Sequence, residues 1–389
     1  MKVVKIVASD WENASRDKRE LSAYRELGAD VKVIAKGSAK EIKKECVCGF
    51  DVLRFSTRPL GERVPKFINR IIAVFIWAHY IRTLEADVIS GHDLFGLFIG
   101  YLSNFRRSKK HRAKLIYDSH EYELGRAAER SKINLWFTKH LEHFLIKRCA
   151  FSIMVNDSIA DEVQRIYGLK NRPVVIRNTP DYWTVDYSVT TDVHRDFCRM
   201  IGIREDSFII MYHGGIIEGR GIVTIINLVA LSHNIVGVIL GNGEKKYVNS
   251  LKQMAIEKGV RDRILFLPAV PLSELWKYVG AANVGMIMAP AICKNHLFSL
   301  PNKFFENIQS ETPIICPFYP AMKELVDRYN IGLTCDPENI EEIAACVERM
   351  RTDSSFYELC KKNLKTAKMN LCWENEKQAL ITAYKQLEG

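Results

Sequence analysis

Short apolar segments alternate with longer helical patterns along the whole chain, and this alternation restricts the fold more than any other feature. The predicted strands are 3–9, 30–36, 52–57, 87–92, 114–120, 151–156 and 174–178 in the first half, and 208–214, 236–241, 264–268, 284–290, 313–317 and 332–337 in the second. Nearly continuous apolar strands separated by helices are typical of parallel sheets covered on both faces. The sequence therefore predicts an α/β protein.

The alternation is interrupted once, within residues 179–192, where polar, aromatic and β-branched residues replace it. A chain of 389 residues is also long enough for two domains. We predict two doubly wound, Rossmann-like domains, at 1–183 and 184–368. Ligands are expected at the carboxyl ends of their strands, in a cleft between the domains.

The net charge of +10 is concentrated in the first half of the chain. Residues 1–185 contain 33 Lys and Arg against 22 Asp and Glu, which gives +11, and the remainder contains 23 against 24, which gives −1. This asymmetry predicts an anionic partner for the first half. Nucleic acid, an acidic lipid surface and a phosphorylated substrate all have the required charge.

The composition, with 47% apolar and 26% charged residues, is typical of a globular protein. No segment approaches the roughly 20 apolar residues that a membrane-spanning helix needs, and the opening "MKVVKIVASD" reads as a strand rather than a signal peptide. Ten cysteines occur without a CxxC pair, which favours reduced thiols and a cytoplasmic protein.

The segment "SLPNKFFENIQSETPII" (299–315) combines a helix start with a cation and an acid. Ser299 is a candidate helix cap, and Pro301 suits a first turn. Amides of that turn and Lys303 together can bind a phosphate. Glu306, about one turn later, can accept two hydrogen bonds from a ribose diol. The alternative is an ordinary amphipathic helix with one solvated glutamate.

The segment "YHGGIIEGRG" (212–221) directly follows a predicted strand. Gly214 and Gly215 allow a ligand to approach the backbone closely, and Arg220 offers a planar fork for diphosphate oxygens. The alternative is a glycine-rich turn with a surface arginine. Two further junctions, "ILGNGEKK" (239–246) and "FLPAVPLSEL" (266–275), are weaker signals, although the main chain of the latter could contact a base.

In the first half, "YDSHEYE" (117–123) ends a predicted strand. A histidine there, His120, can bind a substrate hydroxyl or transfer a proton; the alternative is a capping cluster with a solvated histidine. The similar junction "SGHDLFG" (90–96) contains His92 and Asp93, and Asp93 is also a candidate cap for the following helix.

Several common ligand motifs are missing from the sequence: Asp-x-Asp, GxGxxG, GxxxxGK[ST] and HExxH. We therefore predict no metal site. Any diphosphate would be held by Arg220, Lys303 and the amino ends of helices.

Two segments of the first half bear on membrane contact. The basic run "NFRRSKKHRAK" (104–114) is either a solvated loop or a contact with anionic lipid. The segment at 64–84 places Phe67, Ile71, Val74, Phe75 and Ala78 at helical spacing. A helix packed on the sheet explains this spacing, and a membrane-facing helix with basic neighbours is the alternative.

The order of these motifs resembles that of the retaining glycosyltransferases of family 4 (glycosyltransferase group 1), which have the two-domain GT-B fold. The likeness extends over most of the chain and includes "YDSHE", "NTP" (178–180), "YHGGIIEGRG", "LGNGE", "FLPAVPLSEL" and "SLPNKFFENIQSETPII". The closing segment is also similar, which implies a C-terminal helix at 369–389 that returns to the first domain.

The resemblance implies roles for individual residues. Glu306 would bind the nucleotide ribose, and Arg220 would bind the donor diphosphate together with the turn from Ser299 to Lys303, where Leu300 and Asn302 lie. Phe266, Leu267 and Pro268 would lie near the base, with Gly214, Gly215 and Gly241 also at the nucleotide. His120 would lie near the donor sugar, so that His120, Arg220 and Lys303 form the catalytic set.

The sequence departs from the family pattern at three places. Phe298 replaces the first glutamate of the Glu-x7-Glu signature, and Asn295 or His296 is a candidate replacement. Gly215 takes the place of a second diphosphate arginine, for which Lys303 would compensate. The glycine-rich first loop is replaced by "SDWENASRDKRE" (9–20).

The resemblance implies a metal-independent retaining hexosyltransferase that needs no cofactor. Its donor would be a nucleoside-diphosphate sugar, with UDP or GDP expected. The acceptor would be a lipid-linked or other glycan in bacterial surface polysaccharide synthesis, at the cytoplasmic face of the inner membrane, where peripheral contact with anionic lipid is compatible with the charge. The alternative is a sugar-nucleotide 2-epimerase of similar fold. A nucleic-acid-binding module would not explain the nearly neutral second half, and we expect no nucleic-acid partner.

Overall fold

The computed structural model describes residues 1–11, 14–37, 43–105, 107–108, 111–126 and 131–387, without the side chains of Ser9 and Asp10. Parts of three segments discussed above lie outside the described residues: Glu12 and Asn13 of the segment at 9–20, residues 106, 109 and 110 of the basic run, and residues 388 and 389 of the closing segment at 369–389.

The chain forms two compact units. The first comprises Met1–Asn178, Cys293–Asn295 and Glu376–Gly389, and the second comprises Thr179–Ile292 and His296–Asn375. The domain ranges inferred from the sequence stay predictions. Each unit is built around its own sheet, and each is described separately below.

The first unit contains an eight-stranded sheet. Its strands are β1 (Lys2–Asp10), β2 (Asp30–Gly37), β3 (Lys43–Val47), β4 (Phe50–Ser56), β5 (Val88–His92), β6 (Lys114–Ser119), β7 (Phe151–Met154) and β8 (Val174–Val175). The spatial order is β3-β4-β2-β1-β5-β6-β7-β8, and only the β3–β4 pair is antiparallel among the described strands. In the register of β5 and β6, His92 lies opposite Asp118, so the polar ends of these two strands are neighbours.

Five helices accompany this sheet: α1 (Ser15–Glu26), α2 (Lys66–Thr83), α3 (Asp93–Phe105), α4 (Lys132–Ile146) and α5 (Asp157–Tyr167). Local sequence explains where α5 begins and ends. The side chain of Asn156 accepts a hydrogen bond from the Ile159 amide at 2.9 Å, and Gly168 terminates the helix with a φ of +57°.

The second unit contains a six-stranded parallel sheet. Its strands are β9 (Phe208–His213), β10 (Ile235–Leu240), β11 (Ile264–Leu267), β12 (Val284–Met286), β13 (Ile314–Pro317) and β14 (Gly332–Cys335), in the order β11-β10-β9-β12-β13-β14. Leu240 lies opposite both His213 and Leu267, so β9, β10 and β11 end at the same level. The loops that follow these three strands are therefore neighbours.

Eight of the remaining described helices lie within the second unit, and two contain residues of both units. Those within it are α6 (Tyr187–Ile201), α7 (Ile222–Leu231), α8 (Lys245–Glu257), α9 (Leu275–Val279), α11 (Asn302–Gln309), α12 (Pro320–Tyr329), α13 (Ile340–Thr352) and α14 (Ser354–Asn370). Helices α10 (Lys294–Leu297) and α15 (Trp373–Lys385) include residues of both units.

The α/β class predicted from the sequence is confirmed, and each of the thirteen predicted strand segments contains a strand. The sequence analysis missed β3. This edge strand, "KKECV", is largely exposed and lacks the apolar run by which the others are recognised. Within the described ranges, no helix is both long enough and apolar enough to span a bilayer.

Candidate functional site

The ends of β9 and β10 approach each other more closely than side chains would allow. The amide of Gly214 donates to the carbonyl of Leu240 at 2.9 Å, and the amide of Gly241 donates to that of Leu267 at the same distance. A β-carbon at Gly241 would lie 1.9 Å from the carbonyl oxygen of Gly214. Glycine at position 241 therefore allows two loops to pack together and leaves backbone exposed at the strand ends.

A cavity of about 460 Å³ lies beside this contact. Four candidate residues line it together: Gly241, Phe266, Leu267 and Pro268. The sequence analysis missed three polar residues of α8 that also line it: Lys245, Asn249 and Lys252. These residues are four and three positions apart, a spacing that places them on one face of a helix and by which the sequence could have identified them.

Helix α11 presents Lys303 to the Gly214 loop. The ammonium of Lys303 lies 3.9 Å from the centre of the Tyr212 ring, and a β-carbon at Gly214 would lie 3.9 Å from the same nitrogen. Burial and then the guanidinium of Arg220 lower the pKa of Lys303 from 10.5 to about 7, against the opposing effect of Glu306. Two cationic side chains thus converge on a glycine loop and a helix amino end, an arrangement suited to a polyanion.

Glu306 is held by a residue that the sequence analysis did not identify. The buried imidazole of His213, the last residue of β9, places Nε2 at 3.0 Å from Oε2 of Glu306. The side chain of Glu306 remains 16% exposed. The sequence could have indicated His213 by its position at the end of a strand, directly before the glycine pair.

The expected role of Ser299 as a helix cap is wrong. Its hydroxyl donates to the carbonyl of His296 at 2.9 Å, and α11 begins at Asn302, with Pro301 as the preceding cap residue. Leu300 packs against an apolar cluster that includes Phe304. The side chains of Ser299 and Leu300 thus make local contacts. Asn302 is exposed at the start of α11.

Gly215 and Arg220 occupy the loop between β9 and α7. The carbonyl of Gly215 accepts a hydrogen bond from the Tyr212 hydroxyl at 2.6 Å. Arg220 is exposed and precedes Gly221, where a β-carbon would lie 2.2 Å from the Met288 carbonyl oxygen. That contact requires a glycine and fixes the position from which Arg220 extends.

The first unit contains a separate charged cluster beneath His120. Lys5 is fully buried, and its ammonium lies 3.1 Å from Asp17, 2.5 Å from Glu20 and 3.1 Å from Asp118. Arg16 adds ion pairs to Glu20 at 3.0 Å and to Asp118 at 2.9 Å. Burial opposes the ionised carboxylate, but Arg16 and then Lys5 hold the pKa of Asp118 well below its usual range. Asp118 in turn lies 3.3 Å from Nε2 of His120.

Asp93 was considered as a helix cap, but the structure gives its carboxylate other partners. It accepts the backbone N–H of His120 at 3.0 Å and pairs with Arg126 at 2.7 Å. Its φ of +56° is rare for a residue with a side chain. Such backbone strain is common at functional positions, where the surrounding contacts maintain it.

Two overlapping triads in this cluster, Asp17–His92–His120 and Glu20–Asp118–His120, have ligand atoms within 4.8 Å of one another. They do not suit a metal ion. Lys5 already lies among the three carboxylates, and Arg16 pairs with two of them, so the protein's own cations neutralise the donors that a metal would need.

Two family models match the chain. "Glycosyl transferases group 1" matches residues 196–367, and "Glycosyltransferase Family 4" matches residues 19–181. The matches lie side by side and together cover most of the sequence. The chain belongs to the group 1, family 4 glycosyltransferases.

A curated relative of this glycosyltransferase is the uncharacterized glycosyltransferase MJ1607 of Methanocaldococcus jannaschii. It is 25% identical over 306 residues, which cover 77% of this chain and 75% of the relative.

Solved structures share the fold. Anabaena Alr3699/HepE in complex with UDP has 14% identity and a TM-score of 0.77, covering 99% of this chain and 100% of that one. Sucrose-phosphate synthase of Thermosynechococcus elongatus has 16% identity and a TM-score of 0.75, covering 100% and 99%. The predicted GT-B fold of this glycosyltransferase, with two parallel-sheet α/β domains, is confirmed.

Proposed function

We propose that this glycosyltransferase binds a nucleoside-diphosphate sugar in its second unit and transfers the sugar to an acceptor hydroxyl. The observation that carries the proposal is the convergence of Lys303, Arg220 and the Gly214 loop at the carboxyl ends of the strands, next to a carboxylate held by His213. Open α/β sheets bind ligands at these ends.

In this proposal the diphosphate is held by Arg220, Lys303 and the amino end of α11. Negative charge grows on the leaving diphosphate as the glycosidic bond breaks. Cations fixed in place before the reaction stabilise this charge more in the transition state than in the ground state. The protein thereby supplies the positive charge itself, which supports a metal-independent reaction.

Glu306 is assigned to the ribose, because an ionised carboxylate can accept hydrogen bonds from both hydroxyls of a diol. The base is assigned to the cavity beside Gly241, where Phe266 offers an apolar surface and the side chains from α8 offer polar contacts. UDP or GDP is the proposed nucleotide, and UDP is the first to test because Alr3699/HepE was crystallised with it.

His120 of the first unit is assigned contact with the donor sugar, on the basis of the family resemblance. The same resemblance supports transfer with retention, in which the acceptor attacks from the face of the leaving group. The diphosphate then accepts the proton of the acceptor hydroxyl, so no side-chain base is required.

The proposed acceptor is a lipid-linked glycan of bacterial surface polysaccharide synthesis, and the support is a set of exposed apolar side chains on two helices of the first unit. We call this set of side chains the aromatic face. It consists of exposed side chains of α2 (Phe67, Ile71, Phe75) and α4 (Ile133, Trp136, Phe137), each at least 54% exposed. Helix α3 contacts both α2 and α4.

The apolar residues of helix α2 lie on two sides of the helix, one packed on the sheet and one facing outward. Val74 and Ala78 are buried in the core, whereas Phe67, Ile71 and Phe75 point outward. Together with the excess positive charge of residues 1–185, this surface is suited to the interface of an anionic membrane.

Donor turnover tests the proposed reaction. Purified protein is incubated with UDP-sugars and GDP-sugars, with and without membrane extracts that contain lipid-linked acceptors, and nucleotide release and labelled lipid products are measured. We expect nucleotide release that depends on acceptor and yields a glycosylated lipid. Conversion of the donor to an epimer without acceptor would instead identify a sugar-nucleotide 2-epimerase.

A further inference from the structure

His92 is a buried histidine whose ring packs flat against the ring of His120. The two ring centres lie 3.6 Å apart, with 27° between the ring planes. His92 ends β5 and His120 follows β6, so the pairing of these adjacent strands brings the rings together. His92 thereby covers one face of the histidine assigned to the donor sugar.

Both nitrogens of His92 face carboxylates. Nδ1 lies 3.1 Å from Asp17, and Nε2 lies 3.5 Å from Asp93. An ionised carboxylate can only accept a hydrogen bond, so both nitrogens carry a proton and the ring is an imidazolium. Burial works against the charged form, but Asp17 and then Asp93 outweigh it and raise the pKa of His92 to about 10.

The charges around His92 support this form. The ring contacts Asp17 of α1, Asp93 of α3 and His120 after β6. Lys5 of β1 pairs with Asp17, and Asp118 of β6 pairs with His120. Lys5 and Arg16 supply two positive charges against the three carboxylates of Asp17, Glu20 and Asp118. A cationic His92 balances the remaining negative charge.

His120 is held from three directions. His92 packs on its ring, Asp93 accepts its backbone N–H at 3.0 Å, and Asp118 lies 3.3 Å from its Nε2. Because Arg16 and Lys5 keep Asp118 ionised, Asp118 accepts a hydrogen bond and Nε2 must donate it. Among the residues that the structure describes, none hydrogen-bonds Nδ1 of His120.

We propose that His92, anchored by Asp17, is a positioning residue: its stacked ring holds His120 against Asp118, and the contact with Asp118 selects the tautomer with hydrogen on Nε2 and a lone pair on Nδ1. His120 then accepts a hydrogen bond from a substrate hydroxyl through Nδ1. This inference rests on the proposed contact of His120 with the donor sugar. The general physical basis is that the partner of one imidazole nitrogen sets the chemistry of the other.

Nitrogen-15 NMR of the histidine rings in the intact wild-type protein tests the tautomer directly. The His120 signals are assigned by their loss in His120→Gln. We expect Nε2 to show the shift and one-bond coupling of a protonated ring nitrogen, and Nδ1 the shift of an unprotonated one. A proton on Nδ1 alone would overturn the proposal without any variant at His92.

Two variants test the role of His92. His92→Ala removes the stacked ring, and we expect a mixture of His120 tautomers. The kcat should fall on the order of tenfold to a hundredfold, which is no more than the lower end of the roughly 10²- to 10⁴-fold contribution of a positioned proton-transfer group. The donor KM should change little. His92→Phe retains a flat ring against His120 and should recover part of the lost kcat.

Asp17→Asn keeps the size of the anchoring side chain but removes its charge. Like His92→Ala, it should produce a mixture of His120 tautomers. His233→Gln, at an exposed histidine of the second unit, is the control and should leave both measurements unchanged. Unchanged His120 signals and kcat in both His92→Ala and Asp17→Asn would refute the positioning role.

The same experiments separate this inference from the proposed function. If His120→Gln retains wild-type kcat, the assignment of His120 to the donor sugar fails. If His120→Gln loses activity while the His92 and Asp17 variants behave as wild type, only the positioning role fails.

Discussion

The imidazole of His213 lies 3.0 Å from the carboxylate of Glu306, and the two residues come from elements that are 93 positions apart in the sequence. His213 is buried at the end of β9, whereas Glu306 keeps part of its carboxylate exposed. The contact therefore fixes one carboxylate oxygen and leaves the group able to bind a ligand.

The first prediction concerns this contact. His213→Ala should weaken nucleoside-diphosphate binding about tenfold, because a hydrogen bond to a charged group contributes roughly 1.5 kcal/mol or more. His213→Gln retains an N–H donor and should bind more tightly than His213→Ala. Isothermal titration calorimetry with UDP and GDP measures the difference, and equal affinity of the two variants would contradict a positioning role for His213.

The second prediction concerns the ribose. Glu306→Ala should weaken UDP or GDP binding about tenfold or more, because the diol loses its acceptor. Binding of inorganic pyrophosphate, which has no ribose, should not weaken. Parallel loss of affinity for pyrophosphate would instead indicate that the variant disturbs the diphosphate site.

The third prediction is a pH dependence of diphosphate binding. Burial and the neighbouring Arg220 lower the pKa of Lys303 to about 7, so Lys303 is largely uncharged above that pH in the free protein. A bound diphosphate favours the charged form, so binding above pH 7 takes up a proton. The affinity should fall as the pH rises, by a factor approaching about tenfold per pH unit.

Lys303→Arg is the matched variant for this prediction, because a guanidinium stays protonated throughout the range. Its affinity should lack the decline above pH 7 that is attributed to Lys303. The observed binding enthalpy of the wild type should vary with the ionisation enthalpy of the buffer, since protons are taken up. Identical pH profiles for the two proteins would show that Lys303 does not titrate on binding.

The fourth prediction concerns the contact between the glycine loops. Gly241→Ala places a β-carbon 1.9 Å from the Gly214 carbonyl oxygen and should destabilise the protein by about 3 kcal/mol. Gly259→Ala is the control: its φ is +67°, but a β-carbon there has nothing within 4 Å. That change should cost only about 1 kcal/mol. Thermal unfolding compares the two, and an equal loss would mean that the close approach is relieved easily.

The fifth prediction concerns the aromatic face. The protein should sediment with vesicles that contain anionic lipid, and less so at high salt. Replacing Phe75 and Trp136 by serine should reduce the bound fraction several-fold, because two large apolar side chains no longer enter the interface. Leu231→Ser, at a 63% exposed leucine of the second unit, should bind as the wild type does. Equal vesicle binding by all three proteins would exclude this face as the contact.

The sequence predicted the strands well because most are buried apolar runs, which are visible without tertiary information. The strand β3 was missed because its residues are mostly polar and exposed. Helix α2 shows a second limit: apolar spacing identifies a helix, but burial of Val74 and exposure of Phe75 follow from the position of the sheet.

Within the candidate site, the sequence indicated residues that stand next to glycines or helix starts. It did not reveal His213, whose importance comes from a partner on a distant helix. Ser299 shows the opposite failure, since a serine before a helix has several possible partners, and here the His296 carbonyl accepts its hydrogen bond. Lys5 was overlooked because an isolated lysine in a strand gives no sign that three carboxylates surround it.

Diphosphate binding by Arg220 and Lys303 can be measured by calorimetric titration of UDP and GDP, in excess EDTA, into the wild type and into a variant with Arg220→Met and Lys303→Met. We expect the wild type to bind one of the nucleotides without a divalent cation and the double variant to lose this binding. Undiminished binding by the double variant, or wild-type binding that appears only when a divalent cation is restored, would contradict this expectation.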